Sequence, residues 1–289
     1  MLFFVLTLSA AVCFAFGNVL SKSGVASSGK KADIRHPIRF VSGFLSSGRW
    51  WMGFSLSALG NIGNYTAMAL YNLSLVKPIS ALNPVLTAIF GRIFLKEPIN
   101  RRIVCAIVCV LCGLLFAAFE IDEAAGTQNV FALWIFVACA AVFAFASYAI
   151  FRRNEVSDSL VMGICYGLSD VLYKSVAIDA TAKGVELSWN EFFFWASDVR
   201  LYAFFVVYVT AFVFTQVAFS RGRALFVIPF SAAIGAVVPI LAGAVVFSEP
   251  FPPAKIASIA LVVAGSSLFI ASPRQVIQKT FQRKSNANK

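Results

Sequence analysis

"ALNPVLTAIFGRIFLKEPINRRIV", residues 81–104, and "AGAVVFSEPFPPAKIA", residues 242–257, decide how this chain folds. Each is an apolar run that stops at an acidic residue followed by proline. A shift of 152 residues lays Gly91 on Gly243, Glu97-Pro98 on Glu249-Pro250, and Gly113 on Gly265. The same shift lays "CFAFGNVLSKSG", 13–24, on "CYGLSDVLYKSV", 165–176, pairing Cys13 with Cys165, Val19-Leu20 with Val171-Leu172, and Lys22 with Lys174. One offset that holds from Cys13 to Gly113 marks an internal repeat.

Composition sets the solvent in which that repeat folds. Of 289 residues 60% are apolar and only 13% charged, and the mean hydropathy is +0.82. A soluble domain carries about 25% charged residues, so this is an all-α integral membrane protein whose first partner is the lipid bilayer. The net charge of +11 does not indicate nucleic acid, because the basic residues lie in short segments between apolar runs rather than on one soluble face. Cys13, Cys105, Cys109, Cys112, Cys139 and Cys165 all fall inside apolar runs, where neither a disulfide framework nor a loop-borne zinc site is expected.

A helix needs about 20 apolar residues to cross the hydrocarbon, and nine such windows are predicted, at 2–20, 51–72, 78–95, 102–119, 131–150, 160–179, 200–220, 226–247 and 254–272. The first lacks a basic n-region and reads as a retained helix. "HPIRFVSGFLSSG", 36–48, and "ELSWNEFFFWASDV", 186–199, read as interfacial amphipathic helices, with a tenth span at 36–48 as the alternative. Segments 21–50, 96–101, 151–159, 221–225 and the tail, with Arg102, hold 18 of the 24 basic residues and four acids. The bias predicts N-terminus outside and C-terminus cytoplasmic, in a plasma or inner membrane.

Five spans separate the starts of the two copies, and an odd number turns the second upside down. The expected organisation is a first repeat at 1–119, a linker with an inverting helix at 120–150, a second repeat at 151–272 and a basic tail at 273–289 that lies against anionic headgroups.

"ALYNLSLVKPISALNPVLTAIFGRIFLKEPINRRIVCAIVCVLCGLLF", 69–116, resembles the signature of the drug/metabolite transporter superfamily (EamA-like): a small-residue helix with an interior proline, an acidic-proline stop, then a Gly-containing helix. The nine-span layout, and "RWWMGFSLSALGNIGNYTAMALYNLSLVKPISALNP", 49–84, are similar to the NIPA magnesium-transporter branch. The inverted repeat points to a carrier working by alternating access, and with no nucleophile constellation, Gly-rich phosphate loop or metal-ligand cluster around His36, neither an enzyme nor a cofactor is expected. Two departures stand out: the clear second span of each copy in ten-span members is missing, and Pro239 lies a few residues past the place matching Pro84.

Ionisable groups at membrane depth are expensive and mark function by default. Asp170 is the only carboxylate placed in the hydrocarbon, at the position matching Asn18, and reads either as a cation or proton site or as the partner of Lys174 four residues on. Lys22 reads as a snorkelling side chain and Arg92 as a headgroup anchor. Asn61, Asn64, Asn83 and Gln216 read as hydrogen-bonding amides or helix–helix glue, and Gly60, Gly63, Gly235 and Gly243 as close-packing positions. Pro84 and Pro239 are the candidate helix breaks. The cysteines at 105, 109 and 112 lack His or acidic companions, so no metal site is expected there.

The expected site lies at the midplane between the copies, lined by Asn18, Asn64, Asn83, Asp170, Lys174 and Gln216, with Asp170 as the coupling-ion site. The expected cargo is a small polar metabolite, amino-acid-like or nucleoside-like, with exchange for protons on Asp170 as an option; the alternatives are a divalent cation of the NIPA type and a non-transporting scaffold. A lone carboxylate beside a lysine is a poor cage for Mg²⁺ unless the ion passes hydrated.

Overall fold

The computed structural model describes residues 2–27, 37–70, 79, 82–97, 99–119, 128–151, 154–184, 192–249 and 252–270. Among these the regular structure is all helix: α1 Leu2–Ser27, α2 Pro37–Leu45, α3 Gly48–Leu70, α4 Asn83–Phe94, α5 Arg101–Phe119, α6 Val130–Ile150, α7 Glu155–Ala182, α8 Phe192–Ser197, α9 Val199–Arg221, α10 Ala224–Val246 and α11 Pro253–Ile270. Eight of the nine predicted windows fall on helices of 18 residues or more, and the ninth, 78–95, meets the 12-residue α4, with 78, 80 and 81 outside the described residues. Six of the helices, α1, α6, α7, α9, α10 and α11, are long and apolar enough to cross a membrane. Over the described part of the alternative span at 36–48, α2 has nine residues, about 14 Å at 1.5 Å per residue, less than half a bilayer core; residue 36 and those before it back to 28 lie outside the described residues.

Local chemistry sets the helix ends. Asn129 caps α6 by accepting from the Ala132 N–H, and Asp198 caps α9 by accepting from the Arg200 N–H. Asn154 forms a reciprocal capping box with Ser157 at the start of α7. Helix α1 runs on to Ser27, so Lys22 lies on the helix rather than in the loop after it. Pro84 sits in the first turn of α4 and costs that helix nothing, whereas Pro229 and Pro239 both lie inside α10 and each withholds a backbone N–H.

Helix pairs reproduce the repeat. Moving 152 residues along the chain carries Phe94, the end of α4, onto Val246, the end of α10, and Arg101, the start of α5, onto Pro253, the start of α11. Helix α1 packs on α3 and α4, and α7 packs on α9 and α10. Helices α5 and α11 pack on each other across the two halves. Gly113 and Gly265 permit this last crossing: a Cβ on Gly113 would lie 2.9 Å from the Ser258 carbonyl, and one on Gly265 2.9 Å from the Ala106 carbonyl. The Ser258 hydroxyl donates to the Gly113 carbonyl at 2.8 Å across the same contact. In α1 and α3, Gly60 faces the Phe14 backbone, as the packing reading of that glycine requires.

Candidate functional site

The repeated acidic-proline stop has one structural meaning in both copies. After α4 the chain turns through Lys96, with φ 54°, and after α10 through Ser248, with φ 50°. The left-handed step folds the next residue back, so the Glu97 N–H returns to the Gly91 carbonyl and the Glu249 N–H to the Gly243 carbonyl. The glutamate side chain then lies along the end of its helix, and glycine leaves room for it. A Cβ on Gly243 would run into the Glu249 carboxylate, and one on Gly91 would lie 3.8 Å from Glu97 Oε2.

Each folded-back glutamate meets the lysine of its own copy. Lys22 Nζ lies 3.0 Å from Glu97 Oε1, and Lys174 pairs with Glu249. The surroundings differ. Lys22 and Glu97 are both buried, at 7% and 9% exposure. Glu97 Oε1 and Oε2 accept from the backbone N–H groups of Ala224 and Leu225, each at 2.9 Å, and Lys22 donates to the Gly222 carbonyl. The Arg223 side chain does not cap α10, so a carboxylate from the other half of the chain satisfies its first turn and complements its dipole. The Lys174 side chain, by contrast, is 47% exposed, stands 4.8 Å from the Phe247 ring centroid, and shares Glu249 with Lys255 at 3.3 Å.

One expectation is corrected here. Lys22 does not snorkel, because it sits within α1 facing the α9–α10 turn, where a buried carboxylate and a carbonyl replace water. Lys174, four residues on from Asp170, also pairs with Glu249. Partial burial pushes the Glu249 carboxyl up, but the hydrogen bond and charge of Lys174 and the charge of Lys255 outweigh it and hold it below the usual range.

A second inter-copy contact lies beside the buried pair. Trp50 Nε1 donates to Gln216 Oε1 at 2.8 Å, and the Trp50 and Phe54 rings both meet Phe212. This spends Gln216 on a helix–helix contact. Arg92 is exposed, and its guanidinium donates to the Glu97 carbonyl at 3.0 Å, bracing the turn.

The other predicted residues fall in two groups. Asp170 lies exposed on α7, within electrostatic reach of the Tyr208 hydroxyl on α9. Tyr208 meets Tyr166 edge-on and stacks on Phe204, which tilts against Tyr173. Asn18 is buried with its Nδ2 lacking a protein partner, and on the neighbouring helix α4 so are Asn83 Oδ1 and Thr87 Oγ1, Thr87 being fully buried. Asn64 is half-buried on α3. Among the described residues no group of three or more His, Cys, Asp and Glu is placed to hold a metal ion.

Charge networks invisible to a hydropathy reading close both ends of α7. At its start Asp158, fully buried, meets Arg221 at 3.1 Å, and Glu155 meets Arg223 at 3.4 Å. Toward its end Arg200 binds Asp179 and Asp198, both at 2.6 Å, and the Ser175 hydroxyl at 3.0 Å. The hydrogen bonds of Arg200 are the first cause of an Asp198 carboxyl held below its usual range. The charge pattern Glu155/Asp158 against Arg221/Arg223 was the available sequence signal for the first network.

A bundle of long apolar helices, with ion pairs held within each half and Glu97 accepting from the backbone of the other, defines a multi-pass integral membrane protein. More particularly, residues 36–119 match the EamA-like transporter family, an EamA-like domain of the drug/metabolite transporter superfamily, and the chain's relatives are NIPA-type magnesium transporters. A probable magnesium transporter of Candida albicans is 23% identical over 218 residues, 70% of this chain and 57% of its own length. The probable magnesium transporter NIPA7 of Arabidopsis thaliana is 21% identical over 264 residues, 85% of this chain and 78% of its own. The human magnesium transporter NIPA4 is 34% identical over 70 residues, 24% of this chain and 17% of its own. The match thus spans little more than half of the Candida relative and a sixth of the human one. No solved structure matches the chain.

Proposed function

We propose that this protein is a transporter that carries hydrated Mg²⁺ by alternating access between two inverted copies, residues 1–119 and 151–272, joined through 120–150. The observation that carries the reading is the set of buried polar atoms on α1 and α4 without protein partners, Asn18, Asn83 and Thr87, in a chain similar over most of its length to magnesium transporters. Mg²⁺ sheds water reluctantly and is usually held through its hydration shell. Water polarised by the ion is a strong donor that suits amide and hydroxyl oxygens, and amide orientation is interchangeable. Asp170 stands apart from these groups, exposed on α7 beside Tyr208, and its charge attracts the ion. The absence of a multi-carboxylate cluster among the described residues suits a transient outer-sphere site better than a storage site. The Lys/Arg bias puts the Lys22–Glu97 end at the cytoplasm and the Lys174–Glu249 end outside.

A second cargo, a small metabolite bearing an ammonium group, is favoured by one observation. Tyr166, Asp170 and Tyr173 share a face of α7, with Tyr208 and Phe204 opposite, and a carboxylate among aromatic faces suits an organic cation. Uptake into proteoliposomes separates the two. Saturable Mg²⁺ entry that Asp170→Asn abolishes supports the first reading. Absence of Mg²⁺ entry with ammonium-metabolite uptake supports the second, and absence of any flux returns the protein to a scaffold.

A further inference from the structure

The two copies are not in the same environment, and the difference falls on matched residues. Lys22–Glu97 is buried and tied to the first turn of α10, whereas the matching Lys174–Glu249 pair is open at its lysine. Trp50–Gln216 bridges α3 and α9. The shift of 152 carries Trp50 onto Tyr202 and Asn64 onto Gln216, so the mate of this contact is Tyr202 with Asn64. Tyr202 is 57% exposed here, and its hydroxyl donates to the Ala196 carbonyl at 2.6 Å instead. The tie of Glu97 to α10 and the Trp50–Gln216 bridge are both made at the Lys22 end, and the matched Lys174 and Tyr202 side chains are turned to other uses.

We propose that Trp50–Gln216 with Lys22–Glu97, and Tyr202–Asn64 with Lys174–Glu249, are two equivalent latches that close in alternation. The inference rests on the transport reading. The structure is the state latched at the Lys22 end. In the opposite state Tyr202 leaves the Ala196 carbonyl, its hydroxyl donates to the Asn64 side-chain oxygen, and Lys174 and Glu249 become buried. Chemistry supports the exchange. Indole N–H to Gln and phenol O–H to Asn are both amphipathic aromatic donors on a side-chain amide, able to pack apolar surface and satisfy one polar group. Each lysine keeps its own glutamate in both states, so neither charge is stranded while the far side of the pair is exchanged. A repeat built this way has two states of similar energy by construction, which alternating access requires.

Proximity cross-linking tests it on the full chain in proteoliposomes, with the six native cysteines replaced by alanine. A short bis-methanethiosulfonate reagent is applied to Trp50→Cys/Gln216→Cys and, separately, to Asn64→Cys/Tyr202→Cys. Both pairs are expected to cross-link, each in part of the population. Adding Lys22→Ala to the 64/202 pair loosens the other latch and raises its yield roughly fivefold or more, and adding Lys174→Ala to the 50/216 pair raises that yield in the same way. A 64/202 pair that never cross-links, or yields unmoved by the lysine substitutions, overturns the latches even when Mg²⁺ flux is intact. Alternating yields in a chain with no Mg²⁺ flux keep the latches and sink the cargo. Monodisperse elution of every variant separates loss of proximity from loss of fold.

Discussion

Replacing Lys22 and Lys174 by methionine performs one chemical change twice, at matched places on two helices of the same chain. Helix propensity and side-chain volume cancel in the comparison, leaving the surroundings of the glutamate. Lys22→Met leaves Glu97 buried, with two backbone N–H donors and no counter-charge. Breaking one partner of a buried pair costs about 3–5 kcal/mol, and the two surviving donors place this case near the lower figure, about 3 kcal/mol. Lys174→Met removes an ammonium that is half exposed, and Lys255 remains beside Glu249 at 3.3 Å, so the loss is below about 1 kcal/mol. At about 2–4 °C per kcal/mol for a chain of this size, Lys22→Met lowers Tm by about 6–12 °C and Lys174→Met by less than about 4 °C. Thermal unfolding of purified protein in nanodiscs reads both. Lys22→Met/Glu97→Gln, which strands no charge, recovers part of the loss. Equal shifts for the two lysines, or a double variant worse than Lys22→Met, would refute the assignment of the buried end.

Gly265→Ala puts a methyl 2.9 Å from the Ala106 carbonyl and 2.8 Å from a Val110 methyl; over-packing of this kind costs about 1–3 kcal/mol, so Tm falls although alanine is the better helix former. Thr87→Val removes a buried hydroxyl without a protein partner; the expected result is unchanged or raised Tm with weaker apparent Mg²⁺ affinity, and loss of stability would count against a ligand role. Asp198 has a folded pKa below its unfolded value because Arg200 hydrogen-bonds it, so its contribution is full above about pH 4 and fades as pH falls through the lower folded value. Asp198→Asn keeps the cap and flattens the acid limb of a Tm-versus-pH curve; an unchanged limb sinks this assignment.

The helices were legible in the sequence because apolar length in lipid leaves the backbone one solution. The repeat offset was legible because glycine and the acidic-proline stop are set by backbone geometry, and that geometry recurs at Lys96 and Ser248. What periodicity could not supply was partnership. Lys22 looked like a headgroup anchor because hydropathy gives its depth, not the glutamate 75 residues away that folds back to meet it. Glu97, in the opening motif, therefore reads as a stop when it holds an ion pair. Gln216 was grouped with Asp170 by depth, but Trp50 claims it. Asp158 and Arg221 lay too near the span edges to register as intramembrane charges, yet Asp158 is fully buried.

The embrace of α5 and α11 has a consequence for a divided chain. Each is the last long helix of its copy, and each spends its small-residue face on the other copy, with Gly113 and Gly265 at the crossing. A chain of half this length would present that face unpaired, and its natural complement would be the same face of a sister molecule related by a two-fold axis. In the intact chain the two faces cover each other, so a cut between α5 and α6 leaves two pieces with a ready-made surface for re-association.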